Sequence, residues 1–174
     1  FPIMRASLAT RLMNIPMIIL YYLGKFFYPM NLAIAQHWVV RSIDFQSFWL
    51  PLIIIIGFLL FGVFMSFPRR RESSLNKPFL FFFLWFLLGL IPHLQIVPIN
   101  MTVAERWLYF PMIGLLGMMG ALLNRSKIKN QKSKIIFIAL TIIIISLLSV
   151  RSFIRVLDWK NGLSLFSHDI RQDS

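Results

Sequence analysis

Two long apolar runs constrain this chain more than any other feature of its sequence. They read LPLIIIIGFLLFGVFMSF, residues 50–67, and IIFIALTIIIISLLSV, residues 135–150. A helix needs roughly 17–25 mostly apolar residues to cross about 30 Å of hydrocarbon, and these runs approach or reach that length. Hydrophobic residues make up 58% of the chain, against roughly 45–50% in an ordinary soluble domain. The pattern therefore predicts membrane-spanning helices rather than the core of a soluble protein.

The predicted fold class is all-α, a polytopic transmembrane helix bundle of about five hydrophobic spans. The spans cover about residues 12–30, 47–67, 78–100, 105–123 and 135–151. The first span also carries Asn14, Pro16 and Lys25, so a kinked or interfacial helix is the alternative for that segment. No strand-like alternation and no internal repeat is visible along the chain.

The third span and the C-terminal tail carry signals that divide the chain further. Pro92 and Pro98 predict a helix to about Leu90, followed by an ordered segment outside the hydrocarbon. From residue 152 the chain becomes polar, with apolar residues at three- and four-residue spacings, which predicts one amphipathic helix. Two parts follow: residues 1–151 are the membrane region and residues 152–174 are an extracytoplasmic segment.

Positive charges are sorted by loop. Two short connections, residues 68–77 and 124–134, are called the basic loops here; together with Arg5 and Arg11 they hold eleven of the 18 Lys and Arg residues and one acid. Because short loops rich in Lys and Arg stay on the cytoplasmic side, the basic loops are predicted to be cytoplasmic. The first span then runs outward and the C-terminus lies outside. This sorting explains the net charge of +12 better than nucleic-acid binding, which needs a basic water-facing surface.

Several kinds of site find no support in the residue types present. The chain has no cysteine, which excludes disulfides and thiolate ligands. Its three histidines have no partner at the spacing of a metal site, so no metal is assigned. Asp44 is the one acid of the first outer loop, where a solvated side chain and a general base are both open interpretations. The sequence opens at Phe1 without the features of a signal peptide, so we expect a fragment of a longer protein.

The stretch TVAERWLYFPMIG, residues 102–114, places charge beside an apolar helix. Thr102 and Glu105 fit a capping box, in which the threonine oxygen accepts from a backbone N–H while the glutamate reaches back to the first one. The negative charge of Glu105 also suits the positive end of the helix dipole. These two residues are therefore interpreted as a helix cap that orients their neighbour.

Arg106 has no such local explanation. A cation in the first turn of a helix opposes the dipole, at a cost of some tenths of a kcal/mol, so this guanidinium needs an anion. Snorkelling to a lipid headgroup and binding of a phosphate-bearing ligand are the two alternatives. Trp107 and Tyr109 fit an aromatic belt at the membrane surface, and Pro111 predicts a bend in the helix.

The order of these features resembles a known family. The segments 11–32, 83–117 and 159–174, which read RLMNIPMIILYYLGKFFYPMNL, FLWFLLGLIPHLQIVPINMTVAERWLYFPMIGLLG and WKNGLSLFSHDIRQDS, resemble the C-terminal part of the membrane region in bacterial tetratricopeptide-repeat membrane proteins. Those proteins are similar to transmembrane O-mannosyltransferases and other GT-C-type glycosyltransferases. The likeness extends over nearly the whole chain and implies the bacterial inner membrane.

The resemblance implies an enzyme that transfers a sugar from a polyprenyl-phosphate donor at the extracytoplasmic face. Arg106, Tyr109 and Lys25 are then expected to bind the donor phosphate, and no other cofactor is implied. The catalytic acid of such enzymes lies upstream, so no catalytic residue is assigned, and tetratricopeptide repeats after residue 174 would bind a protein acceptor. The alternative is a non-catalytic membrane scaffold that presents these repeats. A transporter is disfavoured because no span has an acid at its centre.

Overall fold

Every regular element that the structure describes is a helix. The computed structural model describes residues 2–29, 34–66, 73–125 and 131–158. The helices are α1 (Pro2–Arg5), α2 (Leu8–Phe27), α3 (Leu50–Ser66), α4 (Ser73–Leu90), α5 (Tyr109–Arg125) and α6 (Gln131–Asp158). A π-helical turn, Phe45–Trp49, leads into α3; the 3₁₀ turn Ile91–His93 follows α4, and the 3₁₀ turn Glu105–Leu108 leads into α5. The prediction of an all-α fold is confirmed for the described residues.

Two helical segments are long and apolar enough to cross a membrane. They are Phe45–Ser66, with 22 residues, and Glu105–Leu123, with 19. The apolar helices Lys77–His93 and Thr141–Ile154 are shorter than 18 residues. The prediction of about five spans is therefore not supported over the described residues. It counted residues across Pro92, where α4 has already ended, and across Asn14 and Lys25 of α2.

The core lies between α3, α4 and α5, with α2 packed against them. Phe83 and Phe86 of α4 meet Phe58 of α3, with ring centroids 6.1 and 5.6 Å apart. On the other side α4 packs closely against α5, where a side chain at Gly114 would collide with the α4 backbone. Buried residues of α2 complete this core. The van der Waals contacts of these closely packed side chains hold the helices together.

The chain after α4 is irregular but fixed in place. α4 ends at Leu90, as its downstream prolines predict, and residues 94–104 run without regular structure to the next helix. Gln95 has φ 60°, a left-handed conformation that is uncommon for a residue with a side chain. Residues 34–44 meet this segment through an antiparallel bridge between Gln36 and Val103. We call the end of the bundle where residues 36–41 and 94–104 meet the loop end.

α2 enters the bundle at the loop end. The Arg11 guanidinium donates to the carbonyl oxygens of Gln95, at 3.1 Å, and Ile96, at 2.8 Å, while Arg5 borders a cleft beside Val39. The sequence had grouped Arg5 and Arg11 with the basic loops, at the opposite end of α4. That grouping was wrong, and so was the direction that it gave the first span. The hydrogen bonds of Arg11 to residues more than 80 positions away place the start of α2 at the loop end.

α6 extends beyond its predicted end. The sequence ended this span at residue 151 and began a separate segment at residue 152, but one helix runs from Gln131 to Asp158. Arg151 lies inside it, and its guanidinium Nε donates to the carbonyl oxygen of Pro29. The amphipathic helix predicted for the tail falls on residues 159–174, which lie outside the described part of the chain.

Candidate functional site

Buried polar side chains hold the loop end together. Asn14, Gln95 and Thr102 are all fully buried, although they lie in three separate parts of the sequence. A buried amide or hydroxyl without a hydrogen bond costs about 1–3 kcal/mol, so their partners determine where these segments lie. Each of these three side chains forms hydrogen bonds with backbone groups of an irregular segment. Such a segment has no helical or sheet hydrogen bonds of its own to pair those groups.

The side chain of Asn14 forms the same pair of hydrogen bonds with the Val40 backbone that a neighbouring β-strand would form. Its Nδ2 donates to the carbonyl oxygen of Val40 at 2.9 Å, and its Oδ1 accepts from the Val40 N–H at 2.7 Å. Nδ2 also donates to the carbonyl oxygen of Thr10, at 2.7 Å. The polar residue that complicated the first predicted span therefore anchors the segment 36–41 to α2.

Thr102 fixes the other irregular segment. Its hydroxyl donates to the carbonyl oxygen of Trp38 at 2.6 Å, and its N–H donates to the carbonyl oxygen of Gln36 at 2.9 Å. The predicted capping box does not form, because Thr102 is not at the N-cap position. The helical turn begins two residues later, with Ala104 as N-cap and no side chain bonded at the cap, and Glu105 is its first residue.

The side chain of Gln95 braces its own loop. Its Nε2 donates to the carbonyl oxygens of Met101, at 2.7 Å, and Thr102, at 3.1 Å, and its Oε1 accepts from the Ile99 N–H at 3.1 Å. These hydrogen bonds stabilise the left-handed backbone conformation of Gln95 and so offset its cost. The sequence reading overlooked Gln95; its position between two prolines was the available signal.

Tyr22 determines where the charged turn starts. Its buried hydroxyl lies 3.4 Å from the carbonyl oxygen of Ala104 and 3.3 Å from the Ala104 nitrogen, so it can donate to one and accept from the other. Ala104 immediately precedes Glu105 and Arg106. A core residue of α2 thus positions the backbone that carries the predicted site.

Arg106 and Tyr109 share one face of the turn. Residues three apart eclipse one another in a 3₁₀ helix, and this turn runs Glu105–Leu108 with Tyr109 next. Both side chains are exposed, Tyr109 by 68%. Within the described residues, Arg106 has one polar contact, from its Nη2 to the Met101 sulfur at 3.7 Å. A thioether is a weak acceptor, so this contact leaves the guanidinium with most of its donors for an anion.

Lys25 comes to the site from α2. Its ammonium lies 5.2 Å from the centre of the Tyr21 ring, a favourable cation–π distance. Glu105 attracts its charge and Arg151 repels it. Glu105, the chain neighbour of Arg106, is thus near enough for its charge to act on Lys25, and so is Arg151, which the sequence had not associated with the site. Glu105 serves this electrostatic role where a cap was predicted.

A stacked pair lies on the other side of the turn. The rings of His93 and Trp107 are 4.9 Å apart and nearly parallel, at 9°. The sequence had interpreted Trp107 as part of an interface belt, whereas the structure joins it to the turn after α4. This stacking joins the 3₁₀ turn that follows α4 to the turn that carries Arg106.

No group of three His, Cys, Asp or Glu side chains that could hold a metal ion is found in the described part of the chain. The site consists of three cations (Arg106, Lys25 and Arg151), the carboxylate of Glu105 and the phenol of Tyr109, close to the start of an apolar helix. Such a set suits an oxyanion better than a cation.

Comparison with known proteins adds no relative. No family model, curated protein or solved structure matches the chain. The likeness to tetratricopeptide-repeat membrane proteins and GT-C glycosyltransferases therefore stays a prediction, and the function must be argued from the residues themselves.

Proposed function

We propose that this chain is part of an integral, multi-pass membrane protein that binds the phosphate of a polyprenyl-linked sugar at its loop end. The activity that the resemblance suggests for the whole protein is glycosyl transfer of the GT-C type. In this proposal the described residues hold the donor, and the catalytic acid comes from the upstream half of the protein. Tetratricopeptide repeats downstream would take a protein acceptor.

The exposed surface of the long helices supports the membrane location. In the most apolar 18 residues of Phe45–Ser66 only 17% are buried, and in those of Glu105–Leu123 only 22%. A helix that forms the core of a soluble protein is mostly buried instead. Leu60, Phe64 and Leu116 are each more than half exposed. In water such surfaces would drive association, while in lipid they face acyl chains at no cost.

The basic loops support an orientation. Residues 68–77 and 124–134 hold nine Lys and Arg with one acid, which favours the cytoplasmic side for short loops. The loop end then lies at the extracytoplasmic surface, with the C-terminus on the same side. This agrees with where a polyprenyl-phosphate donor would present its sugar for transfer outside the cell.

The single observation that carries the proposal is the exposed Arg106. Its guanidinium has only a sulfur as a polar contact among the described residues, and it stands where an apolar helix begins. An arginine can bind a phosphate through two parallel N–H···O bonds, and the Tyr109 hydroxyl on the same face can donate a third. Lys25, held near by Glu105, adds positive charge without competing for the same position.

The test compares Arg106→Gln with a matched Lys77→Gln variant. Lys77 is exposed like Arg106 but lies at the start of α4, away from the loop end. In the full-length protein in liposomes containing decaprenyl-phosphate mannose, Arg106→Gln should reduce sugar transfer about ten- to a hundredfold, since a charged hydrogen bond contributes about 1.5–3 kcal/mol. Lys77→Gln should leave transfer unchanged, and both variants should insert into the membrane equally.

The outcomes separate the candidate functions. Unchanged transfer in Arg106→Gln would refute the donor-phosphate assignment. Binding of decaprenyl phosphate that depends on Arg106, in a full-length protein that transfers no sugar, would instead favour the non-catalytic scaffold. Photocrosslinking with a diazirine-labelled polyprenyl phosphate measures binding separately from transfer.

A further inference from the structure

A second basic site lies at the loop end, apart from the turn that carries Arg106. A cleft of about 630 Å³ is lined by Pro2, Arg5, Ala6, Thr10, Val39 and Arg41. Its volume falls within the roughly 300–1,000 Å³ of small-molecule sites. Two arginines that are distant in the sequence, Arg5 of α1 and Arg41, thus border the same space.

Neither arginine has a polar or charged partner among the residues that the structure describes. Within the described residues, neither the Arg5 nor the Arg41 guanidinium forms a hydrogen bond or an ion pair with another residue. The two acidic side chains that the structure describes are used elsewhere, because Asp44 accepts from the Ser47 hydroxyl and amide and Glu105 acts on Lys25. The cleft therefore has positive charge and no carboxylate in its lining.

The wall that carries Arg41 is fixed. Residue 40, between the lining residues Val39 and Arg41, is bound by Asn14 through its N–H and its carbonyl, at 2.7 and 2.9 Å. Asn14 is fully buried in α2. On the other wall Thr10 belongs to the same helix, and its hydroxyl lies 3.0 Å from that of Ser7. Thr10 and the segment that carries Val39 and Arg41 are consequently both attached to α2, so the distance between these two parts of the lining is set before any ligand arrives.

We propose that this cleft binds a phosphate group through Arg5 and Arg41. Guanidinium groups bind phosphate oxygens in pairs and in a fixed plane, which is why arginine is preferred at such sites. Thr10 can donate a further hydrogen bond, while Pro2, Ala6 and Val39 give an apolar wall for the group that bears the phosphate. A soluble phosphate ester and the headgroup of an anionic phospholipid share this chemistry.

The first arm of the test uses a soluble probe. The chain is placed in nanodiscs of phosphatidylcholine, and inorganic pyrophosphate is titrated by calorimetry in 50 mM salt, where screening is weak. Arg41→Gln and Arg5→Gln should each weaken binding about tenfold or more, and Arg41→Lys should retain part of the affinity because the charge remains. Lys77→Gln is the control and should leave this binding unchanged, while Arg106→Gln shows how much of the pyrophosphate binds at the turn.

The second arm uses a lipid probe. Nanodiscs with one-fifth phosphatidic acid are analysed by native mass spectrometry, and the number of bound phosphatidic acid molecules is compared between the natural chain and Arg41→Gln. Loss of one retained lipid in the variant, with no pyrophosphate binding in the first arm, identifies a headgroup site. Loss of pyrophosphate binding identifies a site for a soluble ester. Far-UV circular dichroism confirms that each variant keeps its helix content.

Two results would overturn the proposal. One is that neither pyrophosphate nor phosphatidic acid binds the natural chain above the level of Arg41→Gln. The other is that Arg106→Gln abolishes the same binding, since the observed phosphate would then sit at the turn and not in the cleft. Because the two sites share no residue, failure here leaves the proposed function untouched, and the reverse is also true.

Discussion

The contact between α4 and α5 depends on a glycine, and substituting it tests the packing. A methyl group at Gly114 would lie 2.6 Å from both the carbonyl oxygen of Phe82 and the backbone nitrogen of Phe86, whereas ordinary contact begins near 3.4 Å. Because both obstacles are backbone atoms, Gly114→Ala must push the helices apart by roughly 0.8 Å, and overpacking of this kind costs about 1–3 kcal/mol. A gap of that size also forfeits a quarter to a half of the dispersion energy of the separated atoms.

Gly120 offers a matched control on the same helix. An added methyl group there meets nothing within 4 Å, so Gly120→Ala gains only the helix propensity of alanine, about 0.8–1 kcal/mol. Gly114→Ala gains the same propensity, and the difference between the two variants therefore isolates the steric cost. We expect Gly114→Ala to be less stable than Gly120→Ala by about 1–3 kcal/mol.

The assay is equilibrium unfolding of the detergent-solubilised chain. Each variant is titrated with sodium dodecyl sulfate, and helix content is followed by circular dichroism to give the free energy of unfolding. Gly120→Ala should be more stable than the natural chain. Equal free energies of unfolding for the two alanine variants would refute the close approach of α4 and α5, because no steric term would then separate them.

Two further predictions concern the loop end. Asn14→Leu leaves both backbone groups of Val40 without their partner and should lower the free energy of unfolding by about 2–4 kcal/mol. The control Asn100→Leu, at an exposed position, should change the free energy of unfolding by less than about 0.5 kcal/mol. Equal effects of the two variants in urea or detergent titrations would contradict the role of Asn14. Hydrogen bonds from Ser47 hold the pKa of Asp44 below its ordinary value, so the stabilisation from this lowered pKa is present above the unfolded pKa and is lost as pH falls through the folded one. Ser47→Ala should raise the pKa of Asp44, as measured by carbon-13 titration of its carboxyl signal. An unchanged pKa would contradict the hydrogen bonds between Ser47 and Asp44.

The features that could be predicted from the sequence are those that depend on neighbouring residues. The all-helical fold follows from apolar runs too long for strands, and the end of α4 at Leu90 follows from the backbone restriction before Pro92. Such features need only a few residues of context, which the sequence supplies directly.

Features that depend on distant residues were missed. Thr102 matched a capping box locally, but its hydroxyl is bound by Trp38, 64 residues away. Asn14 was read as a polar residue that weakens a membrane span, whereas it satisfies the backbone of Val40. Both errors have one cause: a polar side chain has several possible partners, and its own neighbourhood does not show which of them the fold brings near.

The misplaced start of α2 also changes how strongly charge determines orientation. With Arg5 and Arg11 moved to the loop end, the basic loops keep nine Lys and Arg, and the rest of the chain holds the other nine. The total no longer favours either side. What still favours the proposed orientation is density, because the nine in the basic loops occupy two short connections, whereas Arg11 is bound to backbone carbonyls and two of the others, Lys160 and Arg171, come after α6 in the sequence. The positive-inside rule counts charges in short loops beside membrane spans, so the basic loops remain the better candidates for the cytoplasmic side, and the arginines of the loop end would instead meet the anions proposed above.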